Sequence, residues 1–233
     1  MKKIDIILPA YNPTSHWPDT IVLHFQKLED ALKAHSISLI IVDDGSHKPM
    51  AESVNTLNQK IGNITLLTHK KNKGKGAALR TGIAAAKSDI ILFTDIDFPY
   101  TTASVVNIVK ALEEKQNTIA IGKRNNTYYD NIPRKRAWIS RVLKTTIKTV
   151  LRLPAYDTQC GLKAFRKEVK DLFLSTKTNR YLVDLEFLRL ANRRKEIKIT
   201  PVLVDLREGI ELSEVSAKLL LNESWSFVKI LFR

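Results

Sequence analysis

The sequence predicts an α/β domain with a mostly parallel sheet and helices on both faces. Three observations carry this. Short apolar runs alternate with segments of helical spacing through the first 120 residues. The polar motifs of that half each follow directly on one of those runs. And 233 residues, 44% of them hydrophobic, suffice for one domain with a real core but not comfortably for two.

The strand-like runs are residues 4–8, 39–42, 64–68, 90–94 and 118–121, and helical spacing fills the gaps at 20–34, 51–60, 77–86 and 103–115. In such sheets ligands bind beyond the carboxyl ends of the strands. The motifs obey that rule: Pro9-Ala10-Tyr11-Asn12 closes the first run, Asp43-Asp44-Gly45-Ser46 the second, the basic stretch 69–76 the third and Asp95-Ile96-Asp97 the fourth. The second half is less regular. A basic loop at 122–133 precedes a helical pattern at 134–153; the stretch 157–165 then turns into a short strand. A helix over 182–194, a strand over 197–204 and an amphipathic segment from 213 complete the chain, with no internal repeat or linker.

Composition narrows the function. The net charge is +14, but residues 1–120 carry 14 Lys+Arg against 12 Asp+Glu while residues 121–233 carry 24 against 12. The excess is local, which suggests an anionic partner for the second half: nucleic acid, phosphate or a membrane surface. Nucleic acid is disfavoured, because it leaves the acids at the strand ends unexplained. One cysteine, Cys160, permits no intramolecular disulfide and suits a reducing compartment; it reads as a small buried residue. No apolar run is long enough to span a bilayer, so membrane association is expected to be peripheral, or supplied by a membrane-protein partner or a homo-oligomer.

Asp95 and Asp97, at i and i+2 where a strand ends, can reach one Mg²⁺ or Mn²⁺ whose remaining ligands are substrate phosphate oxygens and water. Asp44 can accept from a base N–H or a ribose hydroxyl with Gly45 permitting close approach, or Asp43 or Asp44 can cap the next helix. The stretch 72–76 precedes a helix, so backbone N–H groups and lysines, Lys75 among them, can face phosphate or a base. Leu79 stands where a dinucleotide fingerprint needs its third glycine, which argues against a nicotinamide enzyme. Over 134–153, Arg141, Lys144, Lys148 and Arg152 share one helical stripe opposite Ile139, Val142, Leu143 and Ile147, and no acid occurs between Asn131 and Tyr156. That face is either solvated or turned to anionic lipid. Trp225, Phe227, Val228, Ile230, Leu231 and Phe232 are core residues or dip into a bilayer interface.

The order PAYN, IVDDGS, NKGKGAALRTG, DID, GKR, DTQCGLKAF resembles the inverting family-2 glycosyltransferases of GT-A fold over most of the chain. Within them it is similar to the polyprenyl-phosphate sugar synthases, and DTQCGLKAF sits nearest the dolichyl-phosphate glucose synthases. The resemblance implies that Pro9, Tyr11, Asp44, Lys75, Asp95, Ile96 and Arg124 line the nucleotide sugar, and that Asp95 and Asp97 hold the metal. It implies that Arg124, Arg136 and Ser140 grip the acceptor phosphate, and that Asp97, Asp157 and Arg136 serve catalysis, Asp157 as base or positioner. Departures are Pro13, where an acid usually stands, and the stretch 207–214, which replaces a late basic element and puts Arg207's donor role in doubt.

The expected organisation is a single domain: a nucleotide-sugar half at 1–122, an acceptor half at 123–212 and the amphipathic segment at 213–233. The expected reaction is inverting transfer of a hexosyl group, glucose, from a UDP-sugar to polyprenyl phosphate on the cytoplasmic face of a membrane. Two readings compete. One uses a glycan hydroxyl as acceptor, with Asp157 as general base. The other is a dolichyl-phosphate mannose synthase-like enzyme using GDP-mannose.

Overall fold

The computed structural model describes residues 2–124, 157–158 and 160–210. Seven strands form one sheet: β1 (Lys2–Ala10), β2 (His35–Asp43), β3 (Ile64–Thr68), β4 (Ile90–Phe93), β5 (Ile119–Arg124), β6 (Lys163–Arg166) and β7 (Ile199–Val204), in the order β3-β2-β1-β4-β6-β5-β7. The β1–β2, β1–β4, β2–β3 and β5–β7 pairs are parallel; β6 runs antiparallel to both β4 and β5. The mostly parallel α/β sheet is as expected. The central place of β6 is the new feature: a strand from the second half lies inside the sheet of the first.

Strand alternation sends successive side chains to opposite faces. Ile4, Ile6, Leu8, Leu39, Ile41 and Leu92 pack under α1 (Trp17–Ala31), α2 (Ala51–Ile61) and α4 (Thr102–Glu113). Ile7, Ile40, Val42, Ile91 and Phe93 pack under α3 (Lys75–Ala85), α5 (Lys170–Leu174) and α6 (Val183–Asn192). On that second face Phe93, Phe165, Phe173 and Phe187 form a ring cluster with centroids 4.9–5.9 Å apart. Such offset aromatic contacts add roughly 0.5–1.5 kcal/mol each beyond area burial. Gly82 lets α3 lie close on the sheet, since a Cβ there would sit 2.4 Å from Ile7 Cγ2.

All five strands and four helices read from the first half are present. The boundaries differ for physical reasons. Helix α1 begins at Trp17, three residues early, with Pro18 in its first turn, where a missing N–H costs nothing. Strand β2 begins at His35 rather than residue 39 because its polar start pairs with Lys2 and Lys3 of β1. Helix α5 and the 3₁₀ turn Lys167–Val169 before it were not expected; five residues are too few for a periodic signal. No helix among the described residues is long and apolar enough to cross a membrane. The helical pattern at 134–153 and the segment at 213–233 lie outside the described residues.

Candidate active site

Parallel pairing aligns the carboxyl ends of the strands. Ala10 is level with Asp43, and Asp43 with Thr68, so the loops after β1, β2 and β3 leave the sheet side by side. They are stitched together. Asn12, at φ 48, donates its N–H to Ser46 Oγ at 2.9 Å, and its side-chain oxygen accepts from His47 N–H at 2.9 Å. Half-buried Pro9 and Tyr11, 48% exposed, stand at this rim.

Asp43 closes a turn, accepting from Ser46 N–H at 2.9 Å, and Asp44 is buried. Asp44 accepts from the N–H groups of Lys73 (2.9 Å) and Gly74 (2.7 Å), while Oδ1 contacts His69 Nδ1 at 2.6 Å. His69 in turn reaches Thr81 Oγ1 on α3 at 2.9 Å. Neither acid caps α2, whose N-cap is Met50. Gly45 does permit a close approach, but of the chain itself: at φ 77, a Cβ on it would lie 2.6 Å from the Lys71 carbonyl carbon.

The expectation that backbone N–H groups of 72–76 face phosphate needs correction. Those of Lys73 and Gly74 donate to Asp44, and those of Gly76 and Ala77 to the Asn179 carbonyl, at 2.8 and 3.2 Å. The segment 176–180 thus seals the start of α3. Arg80 holds that segment through Thr176 Oγ1, the Thr178 carbonyl and Asn179 Oδ1, and Glu186 accepts from the N–H groups of Lys177 and Thr178. What remains directed at the site from this motif is the Lys75 side chain, whose ammonium donates to Asp95 Oδ1. Burial alone would lower the Lys75 ammonium, but Asp95, Asp184 and Tyr181 outweigh it and push it up.

Asp95, Ile96 and Asp97 follow β4 at the same edge, with Ile96 half-buried and Asp97 exposed. Burial on its inner side, then the charge of Asp95, pushes the Asp97 carboxyl above its usual value. Phe98, next in the chain, adopts φ 46, which a bulky residue keeps only when its surroundings hold it there. Arg207 is what holds it: its Nε donates to the Phe98 carbonyl at 2.6 Å and its Nη2 to the Asp97 carbonyl at 2.7 Å. Below, the His24 ring stacks on Phe98 with centroids 5.9 Å apart. Arg207 therefore clamps the Asp95–Asp97 turn through its backbone.

The donor set fits a hard divalent cation. Two carboxylates lie two residues apart, one pushed up by its neighbour, and two such ligands plus phosphate oxygens and water are what Mg²⁺ or Mn²⁺ takes at a diphosphate. No third His, Cys, Asp or Glu joins them among the described residues.

The second half reaches this edge through residues 157–161. Arg124, at the end of β5, makes a two-pronged ion pair with Asp157, Nε to Oδ2 at 2.8 Å and Nη2 to Oδ1 at 2.7 Å; the Arg124 N–H adds a third bond to Oδ2. Gly161 lies against Asp95, where an added Cβ would meet Oδ2 at 2.6 Å. Tyr100 fixes that turn, its hydroxyl accepting from Gly161 N–H at 2.9 Å and Cys160 Sγ at 3.3 Å. Cys160 is fully buried as expected, and burial pushes its thiol up. Beneath, Lys163 is fully buried, donating to the Cys160 carbonyl and pairing with Asp184 at 2.8 Å.

The edge thus gathers Pro9, Tyr11, Asp44, Lys75, Asp95, Ile96, Asp97, Arg124 and Asp157. Arg136 and Ser140 lie outside the described residues. Sequence pattern singles out neither Tyr100 nor the 176–180 segment, names Gly161 and Lys163 only as members of DTQCGLKAF, and leaves Arg207 a doubtful donor contact. One signal was visible: Asp184 and Glu186 interrupt the apolar run around Leu182–Leu188, and acids there need internal partners.

Paired carboxylates at the carboxyl edge of a mostly parallel sheet, beside a buried arginine–carboxylate pair, suit an enzyme acting on phosphate-bearing substrates. Residues 5–173 match the family model of glycosyl transferase family 2, and the chain belongs to that family. A dolichyl-phosphate beta-glucosyltransferase of Dictyostelium discoideum is 30% identical over 246 aligned positions, covering 99% of this chain and 74% of that protein. The human protein of that name is 28% identical, covering 89% and 68%. Among solved structures, glucosyl-3-phosphoglycerate synthase from Mycobacterium tuberculosis in complex with UDP aligns with a TM-score of 0.72 at 18% identity, over 99% of this chain and 79% of that one. Mannosyl-3-phosphoglycerate synthase from Rubrobacter xylanophilus gives 0.73 at 13%, over 100% and 73%. These two share the GT-A fold with this chain; the M. tuberculosis enzyme has also been solved with Mn²⁺ and UDP.

Proposed function

We propose that this glycosyltransferase moves a glucosyl group from UDP-glucose to polyprenyl phosphate with inversion at the anomeric carbon. The observation that carries the reading is the meeting of Asp95 and Asp97 with the Arg124–Asp157 pair at one sheet edge. It supports a reading in which a cation-binding pair for a departing diphosphate lies beside a fixed guanidinium for a phosphate acceptor. The glucosyltransferase relatives support the sugar and the lipid.

A divalent cation held by Asp95 and Asp97 would supply neutralisation of the charge that builds on the leaving diphosphate. The chain's own residues do the rest. Tyr11 and Pro9 bound the nucleotide. Asp44 contributes by fixing the loop at 73–74, and Lys75 offers an ammonium to the phosphates. Asp157 acts as positioner: with both oxygens on Arg124, it aims the guanidinium and leaves the proton chemistry to an acceptor that is already anionic. The same engagement speaks against the glycan-hydroxyl reading, which needs Asp157 as a base. Arg136 and Ser140 complete the acceptor grip. The chain works peripherally on the cytoplasmic face of a membrane, its basic second half toward anionic lipid.

The test is incubation of the purified protein with Mn²⁺, polyprenyl phosphate and radiolabelled UDP-glucose or GDP-mannose, followed by lipid extraction. Label is expected in lipid from UDP-glucose, in a β linkage. Label from GDP-mannose alone, or from neither sugar, overturns the reading.

A further inference from the structure

Asp95 meets the chain at both oxygens while its side chain stays 43% exposed. Lys75 donates to Oδ1, and Oδ2 faces the Cα of Gly161 so closely that no side chain fits between. The base of Lys75 is fixed. Gly74 sits at φ 101 with the Asn179 carbonyl where a Cβ would be, 2.4 Å away, and the Thr178 carbonyl crowds Gly76 in the same way. The start of α3 is thereby locked to the 178–179 backbone, while the Lys75 side chain keeps four rotatable bonds. The ammonium contacts Asp95, and its charge also acts on Asp97 two residues on.

We propose that Lys75 is an internal counter-ion that occupies Asp95 in the nucleotide-free protein and transfers to the donor diphosphate, so that cation and donor load together. This rests on the donor reading above. An ammonium and a divalent ion on one carboxylate repel strongly at contact distance. The incoming diphosphate offers the ammonium a more highly charged acceptor and relieves that repulsion. By linkage, whatever factor the diphosphate adds to cation affinity, the cation adds to diphosphate affinity.

The experiment measures Mn²⁺ binding, from the paramagnetic resonance of free Mn²⁺, to nucleotide-free wild type, Lys75→Met and Lys75→Arg. Lys75→Met is expected to bind Mn²⁺ about ten-fold or more tightly than wild type, while Lys75→Arg, keeping the charge, stays near wild type. In calorimetry, corrected for the Mn²⁺–UDP complex in buffer, the factor by which Mn²⁺ tightens UDP should shrink in Lys75→Met. Unchanged or weaker Mn²⁺ binding by Lys75→Met overturns the proposal. Should that variant lose the native circular dichroism, Lys75→Gln takes its place with the same expectation. Failure of the donor reading shows separately: wild type that binds no UDP even with Mn²⁺, or Lys75→Met/Asp97→Asn that binds Mn²⁺ as tightly as Lys75→Met, removes the site assignment itself.

Discussion

Asp97 shows how one residue carries opposing demands. Its carboxyl is pushed up by burial and by Asp95, so protonation is eased in the cation-free fold, yet a cation needs it ionised. Asp97→Asn should therefore lower kcat at least about 100-fold, as loss of a charge-neutralising ligand does, while leaving the cation-free fold no less stable. Turnover within a few-fold of wild type at saturating Mn²⁺ would show that the ligand is elsewhere; in the wild type, EDTA should stop turnover reversibly. His24, beneath the same turn, is pulled the other way. Burial, then Arg207 and Lys27, lower its pKa from 6.5 to about 4. A histidine that resists its proton in the fold contributes stability that is fully present above pH 6.5 and is lost as pH falls toward 4. At most about 3 kcal/mol is involved. Urea midpoints between pH 7 and 4 should fall in wild type and flatten in His24→Leu; parallel slopes would exclude His24 as the source.

At the scale of elements, the start of α3 is the joint between the two halves of the site. A Cβ on Gly74 would strike the Asn179 carbonyl and also force a side chain into the left-handed region. Gly62 supplies the comparison, with φ 60 and nothing within 4 Å of the added atom. Gly62→Ala should cost about 1 kcal/mol for backbone strain alone, and Gly74→Ala at least about 2–3 kcal/mol together with weakened UDP binding. Equal urea midpoints for the two variants would mean that the 178–179 contact bears no load. This joint also marks how far the sequence is legible. The motifs after β1, β2, β3 and β4 could be read because each follows a local apolar run with its own period. Asp95 and Asp97, and their level with Asp44, came from that pattern. The sealing of α3 by Asn179, the clamp of Arg207 on Phe98 and the insertion of β6 beside β4 join residues about 70 to 110 positions apart. Nothing in local spacing encodes such pairings, so backbone N–H groups that looked free for phosphate proved to be bound at home.

At the scale of the whole molecule, the charge is unevenly split between the two halves of the chain. The first 120 residues are nearly neutral, with net +2, and the remainder carries +12. A phosphate-gripping arginine and a membrane-attracted basic face make different demands, and the sequence offers candidates for each. Arg136 and Ser140 stand for the first; Lys144 and Lys148 stand for the second. Arg136→Ala should lower kcat/KM for polyprenyl phosphate about 10- to 150-fold, the loss of a charge-assisted hydrogen bond of roughly 1.5–3 kcal/mol, with UDP affinity little changed. Lys144→Ala and Lys148→Ala should instead weaken binding to vesicles containing anionic lipid by about 1 kcal/mol each, and by less as salt shortens the screening length. Flotation assays at two salt concentrations, run beside kinetics with a short water-soluble polyprenyl phosphate, separate the two effects. The soluble acceptor removes any benefit of surface concentration, so Lys148→Ala should then match wild type while Arg136→Ala stays impaired. If both variants recover with the soluble acceptor, Arg136 serves only membrane attraction, and the phosphate grip rests on Arg124 and the Asp157 that aims it.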